Sequence, residues 1–197
     1  MCDTEMLFGA VAAHAINSVH MQTGFDPLRS ADFWERWVAE QLGGDQTDRK
    51  AAYDVRVDIW GRECLGEVKF SQAFYADYGK HSRHIFKWLM SKPQVRNRTA
   101  DAVILIGVDQ DRLIYAWVIP RDAMPPGKRT ITTTAPSDRR PTICGRIDPY
   151  AVPVTELLPA FAAACHNRLD AKSRRANAAI TVHDRKAGTL DMFERRA

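Results

Sequence analysis

Two neighbouring stretches of the chain alternate between apolar and polar residues, which is the pattern of half-buried β-strands. The first extends over residues 53–60 and the second over residues 64–70. A tight turn, which we place at Gly61-Arg62, is enough to join them. The pattern therefore predicts a β-hairpin with one apolar face.

Similar patterns predict the elements around this hairpin. Ser30 is a suitable N-cap for a helix over residues 31–42, which two glycines end. Residues 102–108 are continuously apolar, as in a strand buried on both faces. We interpret the basic, aromatic residues 72–90 as a helix. The other predicted elements are a helix at 5–21, a strand at 113–119, an edge strand at 129–133 and a helix at 155–167. This order predicts an α/β fold with a mixed β-sheet flanked by helices.

The polar face of the hairpin carries three charged residues. With the turn at Gly61-Arg62, Asp54 faces Lys69 and is a diagonal neighbour of Glu67. Side chains alternate between the faces of a strand, so all three are expected on one face. Two carboxylates suit Mg²⁺, and a metal held there would polarise a phosphate and activate water. The alternative is a polar outer face whose Asp54–Lys69 ion pair contributes at most about 1 kcal/mol.

The acid-x-lysine tripeptide alone is weak evidence, because it occurs four times. Three copies, at 48–50, 170–172 and 184–186, lie in polar or charge-rich stretches typical of a solvated surface. Only Glu67-Val68-Lys69 lies in an alternating segment that follows a partner strand.

An acid in one strand and acid-x-lysine in the next resemble the motif of the PD-(D/E)xK nuclease superfamily. The resemblance covers residues 30–158 and implies a restriction-endonuclease-like fold. It implies that Asp54, Glu67 and Lys69 are catalytic, and that Asp54, Glu67 and Val68 hold Mg²⁺ or Mn²⁺. Tyr53 stands where proline is common in this group.

Members of the superfamily often have a glutamate on the helix before the hairpin, with apolar residues three and seven positions later. Glu35, followed by Val38 and Leu42, fits this spacing and is our candidate for a further catalytic and metal-binding acid. One alternative is that Glu40 approaches the metal, and another is that Glu35 is merely solvated.

Basic residues are concentrated in two parts of the chain, although the formal net charge is only +4. Between residues 71 and 98, six Lys/Arg and several aromatic residues accompany a single Asp. Such a stretch suits a polyanion, because phosphate contacts supply most non-specific affinity for DNA. The alternative is a helix with a solvated basic face. The candidates for binding nucleic acid are Gln72, Lys80, Arg83 and Lys87.

The second basic part is at the C-terminus, where residues 165–197 carry eight Lys/Arg and four Asp/Glu. Within it, Leu190, Met192 and Phe193 resemble the apolar positions of the peptide with which bacterial replication and repair proteins bind the sliding clamp. Docking of these residues onto the protein's own domain is the alternative. We divide the chain into a helical extension (1–29), a nuclease-like core (30–168) and a flexible tail (169–197).

Composition narrows the class of protein. A chain of 197 residues fits one domain, and no apolar run reaches the ~18 residues that span a bilayer. The four cysteines are scattered, without the spacing of a zinc site or a disulfide framework, and are interpreted as reduced thiols. We therefore expect a cytoplasmic protein that does not contact membranes.

The leading hypothesis is a Mg²⁺-dependent DNA nuclease of restriction, repair or recombination, and an endonuclease rather than an exonuclease. Cleavage of both strands would favour a homodimer. The alternative is a catalytically silent module that binds nucleic acid on the same fold.

Overall fold

Two β-sheets form the framework of the protein. The computed structural model describes residues 30–48, 51–77, 79, 82–90, 99–124, 130–135 and 147–166. The strands within these residues are β1 (Asp45–Gln46), β2 (Val55–Asp58), β3 (Glu63–Gln72), β4 (Phe74–Ala76), β5 (Arg83–Leu89), β6 (Ala102–Val108), β7 (Ile114–Pro120), β8 (Thr130–Thr134) and β9 (Ala151–Val152). The larger sheet has the order β1-β2-β3-β6-β7-β9, and the smaller has the order β4-β5-β8.

The larger sheet is mixed, as predicted. β3 and β6 are parallel, with Glu67 beside Val103 and Lys69 beside Leu105. The other neighbouring strands are antiparallel. Every residue of β6 is buried, which confirms the prediction of a strand covered on both faces. β7, which corresponds to the strand predicted at 113–119, pairs with β6.

The helix before the hairpin, α1 (Ala31–Leu42), has the predicted boundaries. The Ser30 hydroxyl accepts a hydrogen bond of 3.2 Å from the backbone N of Phe33, which satisfies one of the free donors of the first turn. At the other end, Gly43 adopts a φ of 64°, the left-handed conformation that commonly ends a helix.

Helices cover one face of the larger sheet. A second helix, α2, occupies residues 157–166 and overlaps the helix predicted at 155–167. The Trp34 ring of α1 stacks on Phe70 of β3, with the centroids 5.1 Å apart. Apolar residues of both helices and of the sheet form one core, which includes Trp34, Val38, Leu42, Val55, Val57, Val68, Ile104 and Phe161. The apolar face of the motif hairpin is therefore the face that packs on helices.

The smaller sheet covers the opposite face, where Phe86 and Trp88 of β5 pack among Leu105 and Trp117. The predicted helix at 72–90 is therefore wrong. Residues 86–89 alternate between buried and exposed, which is the period of a strand. Their aromatic side chains favour a strand that packs against another sheet. The predicted edge strand at 129–133 corresponds to β8, which pairs with β5 at one edge of this sheet.

Two glycines allow the layers to approach the central strands. A Cβ atom at Gly66 would lie 2.6 Å from the Val55 side chain and 3.2 Å from the Phe161 ring of α2. On the other face, a Cβ atom at Gly107 would lie 2.9 Å from the ring of Phe86. Each glycine thus permits a packing contact that a larger residue would push apart.

The predicted helix at 5–21, the extension at 1–29 and the tail at 169–197 lie outside the described residues. Among the described helices, none has the length and apolar character needed to cross a membrane.

Candidate active site

The β2–β3 hairpin turns one position earlier than predicted. Ile59 and Arg62 exchange backbone hydrogen bonds of 2.8 and 3.2 Å, so Trp60 and Gly61 are the central residues of the turn. Both have positive φ, as in the two-residue loops that suit the twist of a hairpin. The predicted turn at Gly61-Arg62 is therefore wrong. The correction moves each pairing by two residues, and a shift of two keeps every side chain on its predicted face.

Asp54 is fixed against β3 by both its backbone and its side chain. It immediately precedes Val55, which begins β2 and pairs with Gly66 of β3. Its backbone N donates a hydrogen bond of 3.0 Å to the carbonyl of Gly66. Its carboxylate Oδ2 accepts a hydrogen bond of 2.8 Å from the backbone N of Val68. The carboxylate is therefore held beside the acid-x-lysine tripeptide.

Glu67 is a carboxylic acid buried in the sheet, with only 2% of its surface exposed. Burial raises its pKa to about 7, and the negative charge of Asp54 adds to the rise, whereas Lys69 lowers it. A buried carboxylate is costly unless a cation compensates it. A perturbed acid with charged neighbours is typical of functional sites.

The Lys69 ammonium lies between the two carboxylates. Its Nζ atom is 2.5 Å from Oε1 of Glu67 and 3.4 Å from Oδ2 of Asp54. It also donates a hydrogen bond of 2.8 Å to the carbonyl of Val68. Burial lowers the pKa of Lys69, but the two carboxylates outweigh burial and the pKa is raised overall. The structure therefore brings Asp54, Glu67 and a charged Lys69 together.

Glu35 approaches this cluster from α1. Partial burial raises its pKa, and the charge of Asp54 raises it further, whereas a hydrogen bond from Gln46 and the charge of Lys69 lower it. Glu40, the alternative glutamate, is exposed. Of the two glutamates, Glu35 is the one whose charge interacts with Asp54 and Lys69.

Gln46 is a residue of the site that the sequence patterns do not single out. Its Nε2 atom donates a hydrogen bond of 3.1 Å to Oε2 of Glu35. It belongs to the short edge strand β1, which pairs with β2 through Gln46 and Val55. The surrounding residues are polar and not periodic, so no pattern predicts this strand or the orienting contact.

Three of the four residues predicted to bind nucleic acid are described, and they lie on strands rather than on one helix. Gln72 is exposed at the end of β3, and Lys87 is exposed on β5. Arg83 is four residues before Lys87 and therefore on the same face of β5. The backbone N of Lys87 donates a hydrogen bond of 3.0 Å to the hydroxyl of Ser71, which ties β5 to the strand of the acid-x-lysine tripeptide. Lys80 lies outside the described residues, as do Leu190, Met192 and Phe193.

Comparison with known proteins gives a structural likeness and no match of sequence. No protein-family model matches the sequence, and no curated protein matches it. Among solved structures, the chain is similar to a bacterial homing endonuclease, I-Ssp6803I, with a TM-score of 0.45 and 15% sequence identity. The alignment covers 70% of this chain and 98% of that chain. So distant a likeness transfers no function.

Proposed function

We propose that the protein is a metal-dependent nuclease that hydrolyses phosphodiester bonds of DNA at Asp54, Glu67 and Lys69. The observation that supports this is that one ammonium contacts both carboxylates. The side chains of Asp54 and Lys69 are 20% and 19% exposed, so a substrate can reach them. The side chain of Glu67 is 3% exposed. An ordinary surface ion pair does not contain a buried carboxylate with a raised pKa.

The ligands suit a hard divalent cation. Carboxylate oxygens of Asp54 and Glu67 are preferred by Mg²⁺ and Mn²⁺. Because the pKa of Glu67 stays raised to about 7 despite Lys69, further positive charge would stabilise its ionised form. A metal bound here supplies Lewis acidity toward the phosphate and lowers the pKa of a bound water. The side chain of Val68 has no ligand atom, so Val68 could contribute only its carbonyl oxygen, which accepts a hydrogen bond from Lys69.

The chain's own residues orient the charges at the site. The Lys69 ammonium is held beside the two carboxylates by its contacts with Asp54, Glu67 and the Val68 carbonyl. From there the ammonium would stabilise negative charge that develops on the phosphate. Glu35, directed by Gln46, would add a further acidic group to the metal site.

The proposed substrate is DNA, with backbone phosphates contacted by Gln72, Lys80, Arg83 and Lys87. We further propose an endonuclease that acts as a homodimer when both strands are cut. Contact with a sliding clamp through Leu190, Met192 and Phe193 is a separate proposal.

The decisive experiment incubates the full chain with plasmid, linear and branched DNA in the presence of Mg²⁺ or Mn²⁺. We expect cleavage by the wild type and a loss of about 100-fold or more in Glu67→Gln and in Lys69→Ala. Glu63→Gln, a change at the exposed start of the same strand, is the matched control and should retain activity. No cleavage of any substrate, or cleavage that survives both substitutions, would defeat the proposal. Binding of DNA without cleavage would support the alternative of a silent module.

A further inference from the structure

Two thiols and a carboxylate converge at a second place in the fold. The Sγ atoms of Cys64 and Cys165 and a carboxylate oxygen of Asp101 all lie within 4.8 Å of one another. Cys64 is in β3, Asp101 immediately precedes β6, and Cys165 is in α2. The chain therefore folds three potential metal ligands from distant positions into one cluster.

We propose that Cys64, Asp101 and Cys165 bind a thiophilic divalent metal ion, with Zn²⁺ as the expected ion. Thiolate sulfur favours Zn²⁺ over Mg²⁺, because soft ligands select softer metals. Two sulfurs and one carboxylate oxygen supply three ligands of a tetrahedral zinc site. The fourth position is left to water or another small ligand.

The cluster is built into the core and not spread over the surface. Cys64, Asp101 and Cys165 are 2%, 6% and 3% exposed. Oδ2 of Asp101 accepts a hydrogen bond of 2.9 Å from the backbone N of Leu65, next to Cys64. Such a contact orients a ligating carboxylate, as groups behind metal ligands commonly do.

A divalent ion would offset most of the negative charge that the cluster carries when its thiols are ionised. Asp101 is a negative charge and Arg62 a positive charge that act on both thiols. Asp58 adds a weaker negative influence at Cys64. Two thiolates and Asp101 would carry three negative charges, of which a divalent ion would offset two, while Arg62 and Asp58 act with opposite signs. A metal ion binds the thiolate form, so metal binding would release the two thiol protons.

This site is distinct from the proposed nuclease site. Cys64 and Glu67 are three residues apart on β3, or about 10 Å, and face opposite sides of the strand. Cys64 belongs to the core beneath the helices, which Cys165 of α2 shares. A metal here would tie α2 to the sheet, so its role would be structural and would not depend on nuclease activity.

Co²⁺ is a suitable probe, because a thiolate-bound Co²⁺ gives a charge-transfer band that carboxylate sites do not. The reduced full chain, freed of metal, should bind Co²⁺ with this band, and one equivalent of Zn²⁺ per chain should abolish it. The band should be lost in the double variant Cys64→Ser/Cys165→Ser and weakened in Asp101→Asn. The double variant Cys2→Ser/Cys144→Ser, which changes the other two cysteines, should retain it.

A second measurement does not depend on whether the variants fold. In the wild type, Zn²⁺ should slow alkylation of Cys64 and Cys165, identified by peptide mass, and should raise the Tm. A reduced wild type with no thiolate band and no Zn²⁺-dependent protection would overturn the proposal, as would a band that survives loss of both cysteines. Mg²⁺-dependent cleavage, present or absent, is a separate result that bears only on the proposed nuclease.

Discussion

The Lys69 ammonium lies 2.5 Å from the carboxylate of Glu67, two residues earlier on the same strand. Both side chains are largely buried, and Asp54 shares the same ammonium. One positive charge therefore compensates two acids, one of which has a pKa raised to about 7. Among the described residues these two acids share one ammonium, and several measurable properties of the cluster follow from this arrangement.

Replacing Glu67 by Gln should increase stability at pH 8 while reducing cleavage about 100-fold or more. The folded-state pKa of about 7 exceeds the ordinary value of 4.5, so the folded protein binds this proton more tightly than the unfolded chain does. The associated stability is complete below pH 4.5 and is lost as pH rises through 7. Glutamine does not ionise, so Glu67→Gln should gain about 1–3 kcal/mol over the wild type at pH 8 and little near pH 4.5. Urea unfolding at both pH values tests this, and a difference independent of pH would contradict it.

Replacing Lys69 by Met should destabilise the protein most at high pH. Without the ammonium, Asp54 and Glu67 repel each other, and the pKa of Glu67 should rise further. We expect a loss of about 3 kcal/mol at pH 8 and a smaller loss at pH 5, measured by urea unfolding. Lys87→Met, at an exposed position of β5, should leave stability nearly unchanged. Equal losses at the two pH values would show that packing, and not charge, is responsible.

Removing the charge of Glu35 should reduce cleavage about tenfold or more, because Glu35 is proposed to assist metal binding. Its partner Gln46 should matter through orientation, so Gln46→Ala should have a smaller effect of the same kind. Glu40→Gln, on the same helix, is the control and should leave cleavage unchanged. The measurement is the Mg²⁺ concentration that gives half-maximal cleavage. An equal effect of Glu35→Gln and Glu40→Gln would remove Glu35 from the site.

Gly66→Ala should destabilise the fold by about 2–3 kcal/mol, because its methyl group would meet the Val55 side chain and the Phe161 ring. Gly43→Ala provides a comparison in which only backbone conformation is strained, since a Cβ atom there meets nothing within 4 Å. We expect a cost of about 1 kcal/mol for Gly43→Ala. The midpoint of urea unfolding measures both, and similar values would argue against the close contact with α2.

Trp60→Asn should stabilise the hairpin by about 0.5–1 kcal/mol. Trp60 has a φ of 56°, a conformation that asparagine tolerates better than bulky residues. Its side chain is 82% exposed, so little burial is lost on replacement. Thermal unfolding tests the gain, and the most solvent-exposed component of tryptophan fluorescence should disappear. A loss of stability would mean that the indole makes a contact that outweighs the strain.

Local patterns were sufficient for the elements whose sequence period matches their burial. α1 is predicted by its cap and its apolar spacing, and β6 by an unbroken apolar run. The segment 72–90 was predicted wrongly because its basic and aromatic residues suit either a helix or a strand. Only packing of Phe86 and Trp88 against the larger sheet decides in favour of strands.

The hairpin turn shows why the candidate site could be predicted despite an error. Turn residues were misplaced by one position, since the patterns do not reveal that Trp60 adopts a positive φ. The consequent shift of two residues preserved the faces, so Asp54, Glu67 and Lys69 were still expected together. A shift of one residue would have separated them.

The sequence by itself determined which residues share a face within each strand of the hairpin, because the alternation of side chains along a strand is a local property. It could not determine contacts between distant segments. The carboxylate of Asp54 on the Val68 amide, Gln46 on Glu35, and Cys64 beside Asp101 and Cys165 all depend on how separate elements pack. Cys64 and Cys165 lie in β3 and α2, far apart along the chain, so no spacing rule relates them. Burial of both against the same sheet brings them together, and only the tertiary structure decides that.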